Sequence, residues 1–187
     1  MASQTSICNQ ALLALGEKTI TSIDDDTNAA RICKAHYEPI RLAVQEEHPW
    51  TFCTKWENLA KLADPPLSEF ANAFAIPADT LRVVFVGQDY DHPEEYRVEG
   101  ENIVTNLNEC KAQLIYNEPD VSRWSPLFVQ AFTARLTADM AIAITEGRTV
   151  AEFYFGVYQQ KMLAAVNRDN AQGRPRRIRS KWLQRAR

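Results

Sequence analysis

The chain has 187 residues, 45% of them hydrophobic and 24% charged, a composition typical of a folded protein with a buried core and not of a disordered chain. Of its 21 basic residues, seven lie in 174–187, which contains no acidic residue, so 14 basic residues face 24 acidic ones over 1–173. We therefore predict a basic arm on an acidic body, whose charge of about −10 would repel DNA. The N-terminal residues lack a basic start and no run of about 18 apolar residues follows, so we expect neither a secretion signal nor a membrane span.

Two helices are predicted in the first quarter of the chain. Apolar residues recur at helical spacing over 3–15, where Gly16 suits the end of the helix, and again over 27–47. Pro39 lies inside the second segment. Because proline lacks an N–H and clashes with the preceding turn, we expect it to kink that helix or divide it in two.

Short runs typical of β-strands follow over about 51–116, separated by turn residues. The runs EYRVEG and NIVTN indicate a hairpin that turns at Gly100, because glycine adopts a left-handed backbone at little cost. The run FANAFAI lies between Pro66 and Pro77, so its strand should be short or lie at a sheet edge.

Two further helices are predicted at 125–146 and 149–171. Ser125, followed by proline, is a favourable N-cap, and the helix after it is apolar around most of its circumference, so we expect it to be the central helix. The last helix is predicted to begin with a capping box between Thr149 and Glu152. Its apolar face is predicted to carry Val150, Phe153, Tyr154, Val157 and Lys161.

The predicted fold class is therefore α+β and mainly α. A four-helix core would carry a small antiparallel β insertion between helices 2 and 3, and an extended C-terminal arm would follow. The body is predicted to cover 1–173 and the arm 174–187.

Side chains that could carry chemistry are scattered through the chain. No hydrolase, zinc or phosphate-loop motif is present in the sequence, and the four cysteines lie far apart without a C-x-x-C pair, so we expect reduced, buried thiols. His36 is interpreted as a hydrogen-bonded core residue, and the acidic run 24–26 as charge at a helix N-terminus, not a metal site. Arg135 and Asp139 are interpreted as a structural ion pair. We expect no enzymatic activity, no cofactor and no metal.

Acidic residues cluster around the predicted hairpin. We interpret Glu94, Glu95, Glu99 and Glu101 as a solvated sheet edge that discourages aggregation. A hydrolase acting on cell wall through Glu94, Glu95 or Glu101 stays a third functional hypothesis, because glycoside hydrolysis uses paired carboxylates.

The arm RPRRIRSKWLQRAR combines seven basic residues with one Trp-Leu pair. Tryptophan and arginine are favoured anchors at protein interfaces, so we expect the Trp-Leu pair to insert into an apolar site while the basic residues pair with acids. The predicted docking residues, toward a portal protein or a neighbouring subunit, are Arg174, Arg176, Arg177, Arg179, Lys181, Trp182, Leu183, Arg185 and Arg187.

Several segments, in order over about 4–173, together resemble the tail tubular protein A family, the head-to-tail adaptors of tailed bacteriophages. They are ICNQALLALGEKTITSIDDDTNAARICKAHYEPIR, HPWTF, FAIPADTLRVV, YRVEGENIVTN, WSPLFVQAFTARLTADMAIAITEG and YQQKMLAAVNRDNAQG. The resemblance implies a virion protein at the head–tail interface, assembled in the host cytoplasm. It also implies a ring, usually of twelve copies, between the portal protein and the tail nozzle, with a C-terminal arm that reaches along the portal.

The same resemblance implies that the ring helps to retain the packaged genome and that double-stranded DNA passes through it at ejection, with no membrane partner. An acidic body suits such a channel, because each neutralised phosphate is a contact that must be broken during transit. The alternative is a DNA-binding accessory protein that grips the duplex with the basic arm.

Overall fold

The computed structural model describes residues 2–88 and 94–172, which form four α-helices, six β-strands and one short 3-10 helix. In chain order the helices and strands are α1 (Gln4–Ala14), α2 (Asn28–Glu47), β1 (Thr54–Leu59), β2 (Asn72–Ala75), β3 (Thr80–Val86), β4 (Tyr96–Glu99), β5 (Asn102–Thr105), β6 (Cys110–Tyr116), α3 (Pro126–Thr145) and α4 (Arg148–Asn170). The 3-10 helix, Val121–Arg123, lies between β6 and α3.

The first helix has the ends that its sequence indicates. Ser3 and Ser6 form a reciprocal capping box, with the Ser6 N–H donating to Ser3 Oγ over 3.1 Å and the Ser3 N–H donating to Ser6 Oγ over 2.8 Å. Gly16 follows the C-cap with φ of +77°, which confirms the predicted stop.

The second helix is continuous through Pro39, so of the two predicted outcomes, a kink or a division, the division is wrong. Proline removes the bond to the carbonyl of residue 35, and both Ala35 and Pro39 are exposed, so water can satisfy that carbonyl. The N-cap is Thr27, whose hydroxyl accepts from the Ala30 N–H at 3.2 Å.

The six strands form two antiparallel sheets of three strands each. Sheet A has the order β1-β6-β3 and sheet B the order β2-β5-β4. Alternate residues of the central strand β6 face opposite ways: Ile115 packs into the helical core, while Leu114 packs with Phe74 and Ile103 of sheet B. The molecule therefore has three layers, namely the helices, sheet A and sheet B.

This architecture corrects the predicted fold class. The protein is not mainly helical with a small β insertion: helices account for 46% and strands for 20% of the described residues, in a mixed α/β layout with both sheets between α2 and α3. The sequence predicts the runs of strand residues but not their pairing. The pairing of β6 with β1 and β3 buries one face of sheet A against the helices and the other against sheet B, so the β part contributes to the core.

Details of sheet B agree with the local sequence. The hairpin β4–β5 turns at Gly100, which has φ of +61°, and Glu99 pairs with Asn102 across the turn. Strand β2 has four residues and lies at an edge, as the flanking prolines predict.

The third helix is the central one, as predicted, and it packs against α1, α2 and α4. Ser125 caps it by accepting from the Phe128 N–H at 3.2 Å. By length and composition α3 is apolar enough to cross a membrane, but half of its apolar segment is buried inside the protein, as expected for a core helix.

The fourth helix begins earlier than predicted, and the predicted capping box is absent. The helix begins at Arg148, and its N-cap is Gly147, which has no side chain to cap it. The residue before the cap, Glu146, adopts a left-handed backbone with φ of +54°. This turn ends α3 and starts α4 before Thr149 is reached. The predicted apolar face is also wrong in part. Phe153 is 65% exposed, whereas Tyr158 and Ala165 are buried against the core.

Candidate functional site

The predicted docking arm lies outside the described residues, but the turn of α4 that leads to it is firmly held. Asp169, which is buried, accepts from the Thr51 N–H at 3.1 Å and from the Thr51 hydroxyl at 2.8 Å. The Gln172 side-chain amide donates to the same carboxylate at 3.2 Å. The end of α4 is therefore fixed to the segment between α2 and β1.

His48 lies beside this anchor. Its Nε2 atom is 3.4 Å from Asp169 Oδ2, too long and poorly aligned to count as a hydrogen bond, and its ring packs edge-on against Trp50. Burial lowers the pKa of His48 and the nearby charge of Arg82 adds to that effect, while Asp169 opposes it. The burial effect is the larger, so His48 favours its neutral form.

None of the exposed residues of α4 between 153 and 167 is charged, and the one charged residue in this range, Lys161, is half-buried. We call this surface the α4 face. Three large apolar side chains lie on it, with exposed fractions of 65% for Phe153, 40% for Phe155 and 63% for Leu163. In a body with an excess of acids, an exposed uncharged face of this length is the composition expected for the core of a protein–protein interface. Its exposed residues are Phe153, Phe155, Gln159, Gln160, Leu163, Ala164 and Asn167.

A groove of about 450 Å³ lies beside the α4 face, between α4, the C-terminal end of α2 at Glu47 and the middle of α3 at Arg135. Arg135 contacts three residues around this groove. Its Nε donates to Asp139 at 2.9 Å, and its guanidinium lies 5.4 Å from the ring centres of both Phe155 and Tyr158. The Tyr158 hydroxyl donates to Glu47 at 2.6 Å. The predicted Arg135–Asp139 ion pair is confirmed, and it fixes the aromatic wall of the groove.

On the other side of Phe155 a second groove contains His36, Asp139 and Ile142. His36 is half-buried and makes no hydrogen bond to a described residue. The interpretation of His36 as a hydrogen-bonded core residue is therefore wrong. The His36 side chain is partly exposed on the surface of α2 and lines this groove.

The acidic run before α2 has a different role from the predicted cap. Asp25 accepts from the N–H groups of Thr21 and Ser22, at 2.8 and 3.0 Å, and closes the turn before the helix. Asp24 and Asp26 form exposed ion pairs with basic residues of α2. Within residues 2–88 and 94–172, no group of three His, Cys, Asp or Glu side chains is placed to hold a metal ion.

The acidic residues of the hairpin do not converge. Glu101 lies at the turn, whereas Glu94 and Glu95 lie beyond the far end of β4. Four strand residues separate the two positions by about 13 Å of backbone, more than the roughly 5–9.5 Å between the paired carboxylates of glycosidases. This arrangement gives no support to the hydrolase hypothesis.

The four cysteines are free and buried, as predicted. Burial raises the pKa of Cys53 to about 12 and that of Cys110 to about 11. The pKa of Cys8 is also raised, first by its hydrogen bond with Cys33 and then by burial. At neutral pH Cys8, Cys53 and Cys110 are therefore protonated thiols with low reactivity.

Sequence reasoning missed the α4 face. A signal was present, because only Lys161 is charged among residues 153–167. Apolar residues occur on both sides of this helix, so periodicity alone does not show which of them turn outward.

No family model matches this chain, and no curated protein matches it.

Proposed function

We propose that this protein is a structural head-to-tail adaptor of a tailed bacteriophage, which forms a ring between the portal protein and the tail nozzle. The observation that supports this proposal most is the α4 face, a largely apolar surface without exposed charge. It lies on the helix that directly precedes the basic arm in the sequence. The ordered resemblance to tail tubular protein A supports the same assignment. In this proposal the arm docks on the portal and the α4 face contacts neighbouring copies.

The position of the apolar side chains on α4 supports contacts with two neighbours. Phe153 and Phe155 lie about 160° apart around the helix axis, since successive residues are about 100° apart, and Leu163 lies between them on the exposed side. A ring requires each copy to offer two different surfaces, one to the copy before it and one to the copy after it. A face with apolar residues at both edges meets that requirement.

The separation of charge supports a docking role for the arm. The body over 1–173 carries about −10 and the arm +7. A ring of such bodies would not hold a passing duplex tightly, while a basic arm could reach an acidic surface on another protein. Repetition around a ring would strengthen weak docking of each arm, because the effective concentration of the remaining arms rises once one is bound.

The first test is attachment to purified portal rings of the same virus, counted by electron microscopy. We expect a ring of this protein at the portal, and we expect Trp182→Ala to weaken attachment more than Arg179→Ala, because a buried aromatic anchor contributes more than one exposed charge. If the wild-type protein does not associate with portals or heads, the proposed function is wrong. If Trp182→Ala attaches normally, the Trp-Leu pair is not the anchor.

The second test concerns the α4 face. We expect Leu163→Ser to reduce ring formation on portals at least tenfold while changing the free energy of unfolding by no more than about 0.5 kcal/mol, because Leu163 is exposed in the isolated chain. The matched control is Leu67→Ser, at a fully exposed leucine outside the helices, which should assemble normally. Normal assembly of Leu163→Ser would exclude the centre of the α4 face as a subunit contact.

Deletion of 174–187 separates this proposal from the DNA-binding alternative. The adaptor proposal expects the deletion to abolish portal attachment and to leave DNA affinity unchanged. Duplex binding that falls steeply with salt and disappears with the arm would favour the alternative.

A further inference from the structure

Two exposed apolar side chains lie where α1 meets α4. Leu13 of α1 is 62% exposed, and Phe153 of α4 is 65% exposed. The Tyr154 hydroxyl donates to the carbonyl of Ala14 at 2.9 Å, and the Phe153 ring packs edge-on against Tyr154 with 5.2 Å between the ring centres. These contacts place Phe153 beside the end of α1 that carries Leu13. We call Leu13 and Phe153 the α1–α4 knob.

The helix surface around Leu13 is uncharged. Helix α1 contains no charged residue, and the residues exposed next to Leu13 on this helix are Gln10 and Ala14. Large apolar side chains that are exposed together on an uncharged surface mark a contact site, because their hydration is unfavourable. The α1–α4 knob is therefore suited to insertion into an apolar site.

The groove that contains His36 lies on the other side of α4. Its volume of about 560 Å³ is within the range of clefts that hold small molecules, and its apolar lining includes Ile142, Ala138 and Phe155. Phe155 of the groove and Phe153 of the knob lie about 160° apart around the axis of α4, since successive residues are about 100° apart. A chain therefore cannot place its own knob in its own groove.

The two surfaces are bordered by complementary charges. Arg148 and Glu152 are exposed where they line the groove. Glu17 and Lys18 are exposed directly after α1, and the Glu17 N–H donates to the carbonyl of Leu12 at 2.9 Å, which holds this pair next to the knob. None of these four charged side chains makes an ion pair with a residue that the structure describes. Each surface therefore offers one acid and one base to the other.

We propose that the α1–α4 knob of one copy of this chain inserts into the His36 groove of the next copy. Phe153 then packs beside Ile142 and Phe155, and the acid and base beside the knob face the base and acid beside the groove. A second copy is the occupant because one chain carries both an apolar knob and an apolar groove with complementary charges at their borders.

This contact joins different surfaces of two identical chains. Each added copy leaves one knob and one groove free, so copies add head to tail and close into a ring where the rotation between them permits. The inference rests on the proposed function, in which copies form a ring, and it names the two surfaces that meet.

Two variants that each lose one surface test the inference without portals. Phe153→Glu blocks the knob and keeps the groove, whereas Ile142→Glu blocks the groove and keeps the knob. Both positions are exposed in the isolated chain, so both variants should fold. We expect wild type to associate as its concentration rises to millimolar in sedimentation equilibrium, and each variant alone to associate at least about tenfold more weakly, because the contact would bury a charge.

An equimolar mixture of the two variants is the decisive sample. The Ile142→Glu protein still offers a knob to the groove of the Phe153→Glu protein, so the mixture should form dimers with the wild-type affinity and nothing larger. The matched control is Leu67→Glu, at a fully exposed leucine outside the helices, which should associate as wild type does. A mixture that stays monomeric would overturn the inference, as would wild-type association of Ile142→Glu alone.

A measurement on wild type alone does not depend on how the variants fold. Backbone amides at the end of α1 and around the groove should shift together in NMR spectra as the concentration rises to millimolar. If neither set of amides shifts, the inference is wrong. Portal attachment is measured separately and can succeed when these tests fail, so failure of this inference is distinguishable from failure of the proposed function.

Discussion

A few buried polar side chains of the helices bind the loops that connect the helices with sheet A. Arg41, only 1% exposed, donates from Nε to Glu38 at 3.0 Å and from Nη1 to the carbonyl of Glu118 at 3.1 Å. Gln45 donates to the same carbonyl at 2.7 Å. Asp169 acts in the same way at the other end, where it fixes α4 to Thr51. Apart from the Arg41–Glu38 pair within α2, these contacts join residues that are more than 70 positions apart, and no local sequence pattern indicates them.

His48 provides a pH prediction at this scale. Its pKa in the folded protein is lower than the unfolded value of about 6.5, so the unfolded state takes up a proton first as the pH falls. The stability from neutral His48 is therefore fully present above about pH 6.5 and is lost as the pH falls through the folded pKa. We expect His48→Gln to lose less unfolding free energy than wild type between pH 7.5 and 5.5, measured by urea denaturation.

The control for that measurement is Leu67→Ala, at a fully exposed position, which should keep the wild-type dependence on pH. A His48→Gln protein with the same loss of stability as wild type would show that this histidine does not contribute to acid sensitivity.

At the scale of elements, helix starts depend on the backbone before them as much as on capping residues. Ser125 satisfies a free N–H of α3. Thr149 has an equally suitable side chain, but the left-handed turn at Glu146 starts α4 before Thr149 is reached. The Thr145 hydroxyl accepts from the Gly147 N–H at 3.1 Å and stabilises this tight connection. A capping motif therefore predicts a helix start only where the preceding loop is long enough.

The two caps give a matched pair of substitutions. We expect Ser125→Ala to lower the free energy of unfolding by about 1 kcal/mol, because an N-cap hydrogen bond is lost. Thr149→Ala should change it by less than about 0.5 kcal/mol, because this hydroxyl does not cap the helix. Urea denaturation of both variants checks the expectation. Equal losses would mean that Thr149 caps α4 in solution.

At the scale of the whole molecule, sheet A connects the other two layers. Ile115 of β6 packs into the helical core, and Leu81 and Val84 of β3 pack against the same core. The opposite side of sheet A shares a second core with sheet B, through Leu114 and Phe74. Because one strand contributes to both cores, the helices and the sheets should not unfold separately.

This continuity predicts one cooperative transition. We expect far-ultraviolet circular dichroism and tryptophan fluorescence to give coincident urea curves, and Ile115→Ala to shift both together by about 3 kcal/mol, since it removes a fully buried side chain. Leu67→Ala, at an exposed position, should shift neither by more than about 0.5 kcal/mol. Separate transitions for the two signals would show that the β part is an independent unit.

The sequence by itself determined the positions of the four helices, the strand runs, the hairpin turn at Gly100 and the division of charge between body and arm. These features depend on neighbours within a few residues: hydrophobic period, caps, glycine conformation and composition. Only the tertiary structure decided that six strands form two sheets and that sheet A is covered on both faces. It also decided that α4 turns Phe153 and Leu163 outward. Those features depend on which distant segments pair and pack, and helix or strand periodicity carries no information about that choice.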